Sequence, residues 1–267
     1  MPSLEHPPAL APPRPRAAAW RQWVTAAVDL VFPPFCPLCA GRLGSGRRDP
    51  LCGRCWERLE RIVSPCCRLC GAPFGAFPGD DVSVRGTTLG GSLCGGCRVA
   101  RPPWAYARAA THYGDHARDA LHTFKFGGRR ALALPLGDLL AELGPALPLA
   151  AVDVVVPVPL HPRRERERGF NQSWLLARRL AIVWGLTARA DVLARRVATA
   201  AQTDLGAAAR RLNVRDAFTV RRPELVAGRH VLLVDDVLTT GATAAACAVA
   251  LRSGGAATVG VVTVARA

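Results

Sequence analysis

One stretch narrows the fold of this chain more than any other: Val231 to Thr243, four apolar residues, two adjacent acids, and then Val-Leu-Thr-Thr-Gly-Ala-Thr. Val231 to Val234 predicts a strand buried on both faces, as in a parallel sheet. Asp235 and Asp236 then fall at its carboxyl end, where open α/β sheets gather ligands. Thr239 to Thr243 predicts a loop running into a helix, and its N–H groups, its hydroxyls and the helix N-terminus together suit a phosphate. Two carboxylates beside a phosphate cup suit a sugar phosphate, with the acids for the ribose hydroxyls and the loop for the 5′-phosphate. An ordinary βα turn, with Asp235 only entering the helix, would explain one acid more readily than two acids and a hydroxyl-rich loop.

The rest of the C-terminal two-thirds alternates in the same style. Strands are expected at 105–113, 152–157, 190–195, 230–234 and 258–264. Helices are expected at 116–123, 131–143, 171–183 and 243–252, and a polar turn within a mobile loop at 205–213. Leu175, Leu176, Leu180 and Val183 form one apolar helical face. Strand–helix alternation predicts an α/β fold with a mostly parallel, doubly wound sheet.

The N-terminal third has a different grammar. Four Cys-x-x-Cys pairs, Cys36/Cys39, Cys52/Cys55, Cys67/Cys70 and Cys94/Cys97, account for eight of the ten cysteines. Each pair presents two thiolates to one metal, and two pairs complete a tetrahedron. We therefore expect two structural Cys₄ zinc sites holding a module with little core of its own. Sequential pairing is simplest; pairing of the first knuckle with the third, or Cys66 replacing Cys67, are the open alternatives. A redox role is disfavoured by four pairs in series. Cys247, in an Ala-rich helix, reads as buried filler.

These patterns give four segments: a disordered Pro-rich tail at 1–16, a helix at 17–32, the double zinc ribbon at 33–100 with a loose Gly-rich excursion at 75–91, and the α/β domain at 101–267. The helix at 17–32 is interrupted by Arg21, Gln22 and Asp29 and is no membrane span. No export signal stands out, and reduced cysteines point to the cytoplasm. The formal charge is +15, from 35 basic and 20 acidic residues. Eight thiolates and two Zn²⁺ would lower it to about +11. A basic surface predicts acidic partners, although an Arg-rich composition explains it equally well.

Val231 to Thr243 resembles the phosphoribosyl pyrophosphate (PRPP) signature of type I phosphoribosyltransferases. Further motifs extend the likeness: the Cys36-Pro-Leu-Cys39 knuckle, Cys52-Gly-Arg-Cys-Trp56, Lys125 followed by Gly-Gly-Arg, Val154 to His161, and Arg168-Gly-Phe-Asn-Gln172. Together they resemble the ComF competence-protein family over roughly residues 20–267, in which a zinc ribbon precedes a phosphoribosyltransferase domain. The departure is the long insert between Cys70 and Cys94.

The resemblance implies a fold of the type I phosphoribosyltransferase kind and a set of roles. Asp235 and Asp236 would be the catalytic acids. Val237, Leu238, Thr239, Thr240, Gly241, Ala242 and Thr243 would form the 5′-phosphate loop. The loop at 158–164, with Pro159, Leu160, His161, Arg163 and Arg164, would face pyrophosphate together with Arg168 and Lys125. Arg195, Gln202 and Arg210 would belong to a flexible loop that closes over substrate. Mg²⁺ would accompany PRPP. Arginines near the leaving group would stabilise its charge as it departs. A solvated basic loop is the plainer reading of any one of them, and His161 alone reads as structural. The acceptor-binding hood would come from about 103–130, with the acceptor unnamed.

Two functions are weighed, transfer of phosphoribosyl from PRPP and the handling of single-stranded DNA in natural transformation with other competence proteins. A PRPP-sensing regulator is a third. Trp56 and Trp104 are possible base-stacking platforms but more readily core. The sequence leaves the oligomeric state open.

Overall fold

The computed structural model describes residues 35–43, 50–74, 92–196 and 217–267. The expected tail at 1–16, helix at 17–32, excursion at 75–91, turn at 205–213, and the candidate residues Gln202 and Arg210 lie outside the described residues.

Two short helices, α1 (Gly53–Glu57) and α2 (Gly95–Val99), begin directly after Cys52 and Cys94. The α/β part then runs β1 (Tyr106–His112), α3 (Asp115–Phe126), α4 (Ala133–Ala141), β2 (Val154–Pro157), α5 (Pro162–Arg168), α6 (Gln172–Trp184), β3 (Leu193–Arg195), β4 (Phe218–Val220), β5 (His230–Leu238), α7 (Ala242–Ser253) and β6 (Thr258–Arg266). Strands β1, β6, β5 and β2 form a four-stranded sheet in that order, and every pairing is parallel. β3 and β4 make a separate antiparallel hairpin. The expected doubly wound arrangement is present, since helices cover both faces of the sheet.

The pleat decides which residue joins which layer. Val155, Leu232 and Val234 face a core shared with Leu121 and Phe124 of α3, Leu136 to Leu140 of α4, and Leu176 and Leu180 of α6. Val154, Val156, Val231 and Leu233 face the other side, against the small residues of α7, Leu251, and the hairpin residues Leu193 and Phe218. Each fully buried Leu of α6 contributes roughly 1.5–3 kcal/mol relative to exposure.

Two expectations are corrected. The strand under the acids does not stop at Val234. It continues to Leu238, because β6 pairs with it as far as Leu238↔Arg266. β2 stops pairing at Pro157↔Val234, so the acids sit where one flank of the strand is paired and the other has ended. The arginine run is not a loop: Pro162 at the first turn and His161 as its cap start helix α5, which spans Arg163, Arg164 and Arg168. Arg195 is where the expected strand at 190–195 puts it. It closes β3 opposite Phe218 of β4 and is 9 % exposed. A strand at 218–220 was not anticipated, its three residues being too few to show a period.

Candidate functional site

The sheet brings the acids, the hydroxyl loop and several cations to one cleft. A cavity of about 200 Å³ is walled on one side by the segment Asp235 to Ala244 and on the other by Val158 to Leu160, with Lys125, Arg164, Gln172 and Arg195 around it. The sequence-named residues Asp235, Asp236, Val237, Leu238, Thr239, Thr240, Gly241, Ala242, Thr243, Pro159, Leu160, Arg164, Arg195 and Lys125 therefore meet. His161 and Arg163 do not line it. His161 Nδ1 accepts the Arg163 N–H at 3.2 Å and caps α5, while Arg163 is exposed and paired with Glu167 at 2.9 Å.

Asp235 and Asp236 are 8 % and 4 % exposed, an expensive place for carboxylates. Ser173 donates its hydroxyl to Asp235 Oδ1 at 2.9 Å, and the Asp236 backbone N–H donates to the same oxygen at 2.9 Å. Burial, reinforced by the Asp236 charge, pushes the Asp235 carboxyl up to about 7, with Lys125 and these donors opposing the rise. Asp236 Oδ2 is ion-paired with Lys125 Nζ. Burial works against the Lys125 ammonium, yet Asp236 and then Asp235 hold its pKa above the ordinary lysine value. Lys125 is the only lysine in the sequence, and it leaves the last turn of α3 to reach this acid.

Local sequence explains how the second wall is built. Gly169 ends α5 at φ +78°, a backbone that side chains disfavour. Phe170 packs on Phe124 with ring centroids 5.6 Å apart. Asn171 then caps α6 by accepting from the Ser173 and Trp174 N–H groups, and its own amide donates to Val158 O at 3.1 Å. One asparagine thus starts a helix and pins the segment after β2. Arg168 donates to Gln172 Oε1 and lies 5.0 Å from the centre of the Phe126 ring. Burial lowers the Arg168 pKa, the facing acids oppose that, and Arg164 adds to it. Burial and Arg164 likewise lower that of Arg195, which lies over Phe218 at 5.4 Å.

Ser173 and Gln172 were not picked out as site residues from sequence. Ser173 had left a signal: with Leu176, Ala177 and Leu180 it occupies the inward positions of α6, and a hydroxyl on a buried face needs a polar partner.

The cysteines gather into two sets, Cys36, Cys39, Cys52, Cys55 and Cys67, Cys70, Cys94, Cys97, with the sulfurs of each set within 4.8 Å of one another. Pairing is sequential, and Cys66 is in neither set. Cys39 and Cys52 sulfurs are 3.6 Å apart, as are those of Cys70 and Cys94. Tetrahedral zinc with ordinary Zn–S bonds needs about 3.8 Å, so both sets fit the metal. The cleft would hold Mg²⁺, if at all, differently from a closed cysteine set. It offers two carboxylates, one already facing an ammonium, which suits a cation arriving on a phosphate ligand better than one caged by protein alone. No helix among the described residues is long and apolar enough to cross a membrane.

Comparison with known proteins agrees with this architecture. Residues 27–98 match the double zinc ribbon domain and residues 173–267 the phosphoribosyl transferase domain. The chain is 35 % identical over 238 residues to the DNA utilization protein YhgH of Salmonella typhi, covering 86 % of this chain and 96 % of that one. It is 29 % identical over 214 residues to competence protein F of Haemophilus influenzae, covering 78 % and 86 %. It is also 29 % identical over 136 residues to competence protein ComFC of Bacillus subtilis, covering 48 % and 50 %. With its double zinc ribbon and phosphoribosyltransferase domain, the chain belongs to the ComF family.

Proposed function

We propose that the cleft binds PRPP together with Mg²⁺ and transfers its phosphoribosyl group to an acceptor. The observation that carries this reading is the meeting, in one cavity, of two buried acids, a hydroxyl-rich helix-entry loop and the cations Lys125, Arg164 and Arg195. The N–H groups of Thr239 to Thr243 would hold the 5′-phosphate. Asp235 and Asp236 would accept from the ribose hydroxyls. Pro159, Leu160 and Arg164 would face the pyrophosphate, with Lys125 released from Asp236 to join them and Arg168 supporting through Gln172. When bound, Mg²⁺ supplies charge neutralisation on the pyrophosphate. As the acceptor nucleophile attacks C1′, the bond from C1′ to pyrophosphate breaks and the leaving charge falls on these cations. Burial raises the Asp235 pKa and Lys125 pairs with Asp236, so two adjacent buried acids are tolerated side by side. We place the protein in the cytoplasm, because eight zinc-binding thiolates need a reducing compartment.

A second reading has its own support. Relatives carry the names DNA utilization protein and competence protein, and the formal charge is +15. The chain would then act on single-stranded DNA during uptake, with or without other competence proteins, and keep the fold without turnover. Calorimetry of PRPP with zinc-loaded protein, with and without Mg²⁺, separates the two. Mg²⁺-dependent binding supports the transferase reading. Absence of PRPP binding, with single-strand affinity falling steeply as salt rises, supports the DNA reading.

A further inference from the structure

Trp104 stands between the second cysteine cluster and the proposed 5′-phosphate loop, and touches both. Its indole Nε1–H donates to Leu69 O at 2.8 Å. Leu69 lies between the ligands Cys67 and Cys70. The neighbouring carbonyls of that knuckle are held in the same way: Arg108 of β1 donates to Arg68 O at 3.0 Å, and Arg266 of β6 donates to Cys70 O at 2.8 Å. Three consecutive carbonyls of a metal knuckle are therefore each read by a side chain of the sheet or its lead-in. The knuckle also presses on the strand itself, since a Cβ at Gly71 would lie 2.5 Å from Ala107 O.

The far edge of the same indole meets the loop. Gly241 is the N-cap of α7 at φ +75°, and a Cβ there would come within 2.9 Å of Trp104 Cη2. Trp104 is 7 % exposed and packs in the core cluster that holds Ala244 and Cys247 of α7. A buried indole with a single donor has its rotation fixed by its one acceptor. Remove that acceptor and the N–H is left unsatisfied in the core, at a cost relieved only by turning the ring. The ring cannot turn without altering its contact at the N-cap.

We propose that Trp104 is a positioning residue for the loop from Thr239 to Thr243, and that the second zinc knuckle is its anchor, so that metal at Cys67, Cys70, Cys94 and Cys97 sets affinity for a pentose 5-phosphate. The ligand half of this statement rests on the reading of that loop as the 5′-phosphate site; the positioning half does not. Binding groups held by backbone N–H donors lose strength with displacements well below an ångström. A zinc site too closed for chemistry acts on the cleft through one side chain.

The test combines amide hydrogen exchange with calorimetry on the full chain. Trp104→Phe removes the donor together with the Cη2 edge that meets Gly241, so it breaks both ends of the link. Exchange of the Ala245 amide, which donates to Gly241 O at 2.8 Å, should quicken by about tenfold or more while Val231 to Val234 keep their protection. Ribose 5-phosphate and PRPP should bind about tenfold more weakly. Cys94→Ser with Cys97→Ser should reproduce the effect confined to the loop, whereas Cys39→Ser with Cys52→Ser, at the other cluster, should loosen loop and sheet together. Unchanged loop exchange in Trp104→Phe would overturn the proposal. So would equal loosening of loop and sheet in Trp104→Phe or in the second-cluster variant, or an effect confined to the loop from the first cluster. Altered loop exchange in a protein whose wild type ignores PRPP would leave the positioning intact and remove the PRPP reading instead.

Discussion

The cysteine clusters and the acidic cleft are opposite solutions to placing charge inside a small protein. Each cluster is a closed set of four like donors, complete in itself once a metal neutralises it. The cleft is an open set of unlike groups drawn from β5, α3, α5, α6 and β3, and its charges are balanced only in part by one another. A closed set should contribute stability and bind nothing further. An open set should sacrifice stability for binding. The two clusters also differ between themselves. Cys36 and Cys55 belong to the same hydrophobic cluster as α3, α4 and α6, whereas Cys67, Cys70 and Cys97 make a small cluster of their own with Leu69 and Ala72, tied to the sheet by hydrogen bonds.

The largest effect should come from the closed sets. Replacing Cys36 or Cys55 with Ser should release one zinc per chain and destabilise the whole fold by several kcal/mol, on the order expected when folding energy comes from metal. Thermal unfolding with zinc stoichiometry measures this. Second-cluster substitutions should leave the main transition closer to wild type; equal losses from both clusters would erase the distinction between them.

Next in size is the response of the open set to pH. The folded Asp235 carboxyl sits at about 7, above its unfolded value, so the native state holds a proton that the unfolded chain gives up. The sign follows: stability from this group is full below about pH 4 and is lost as pH rises through about 7. Asp235→Asn should therefore be more stable than wild type at pH 8, with the advantage shrinking toward pH 5 in denaturant titrations. PRPP affinity should move the opposite way, rising through the same range, because ribose hydroxyls need an acceptor. A stability advantage of Asp235→Asn that is flat from pH 5 to 8 would contradict the buried-acid assignment.

Much of this contrast could be read from the sequence, and the reason is locality. A knuckle is four residues long, and a strand that enters a hydroxyl-rich loop through two acids is thirteen, so both show their pattern without knowledge of the fold. What could not be read depends on contacts across distance. The strand from His230 extends past the acids because β6 lies beside it, a pairing no local pattern announces. Arg164 and Arg163 are adjacent in sequence, yet only Arg164 faces the cavity, since α5 turns one inward and the other toward Glu167. Lys125 is expected at phosphate; its partner in the structure is Asp236, 111 positions away. Ser173 belongs to the same class, placed by a helix cap two residues before it.

The smallest effect should belong to Ser173. Its hydroxyl is one of the donors that restrain the rise in the Asp235 pKa. Ser173→Ala should weaken PRPP binding at pH 7 by about tenfold, in keeping with roughly 1.5 kcal/mol for a hydrogen bond to a charged acceptor, and should shift the pH dependence upward. Weaker binding without a shifted pH profile would mean that Ser173 merely packs.

The most direct test is PRPP titration, in Mg²⁺, of the wild-type chain beside Asp235→Asn with Asp236→Asn, both zinc-loaded. Wild type should bind, and the double variant should bind at least about a hundredfold more weakly with its fold intact, as expected when two charge-assisted acceptors are lost. Equal binding by the two proteins would contradict the assignment of the acidic pair, and with it the cleft as the place where PRPP is held.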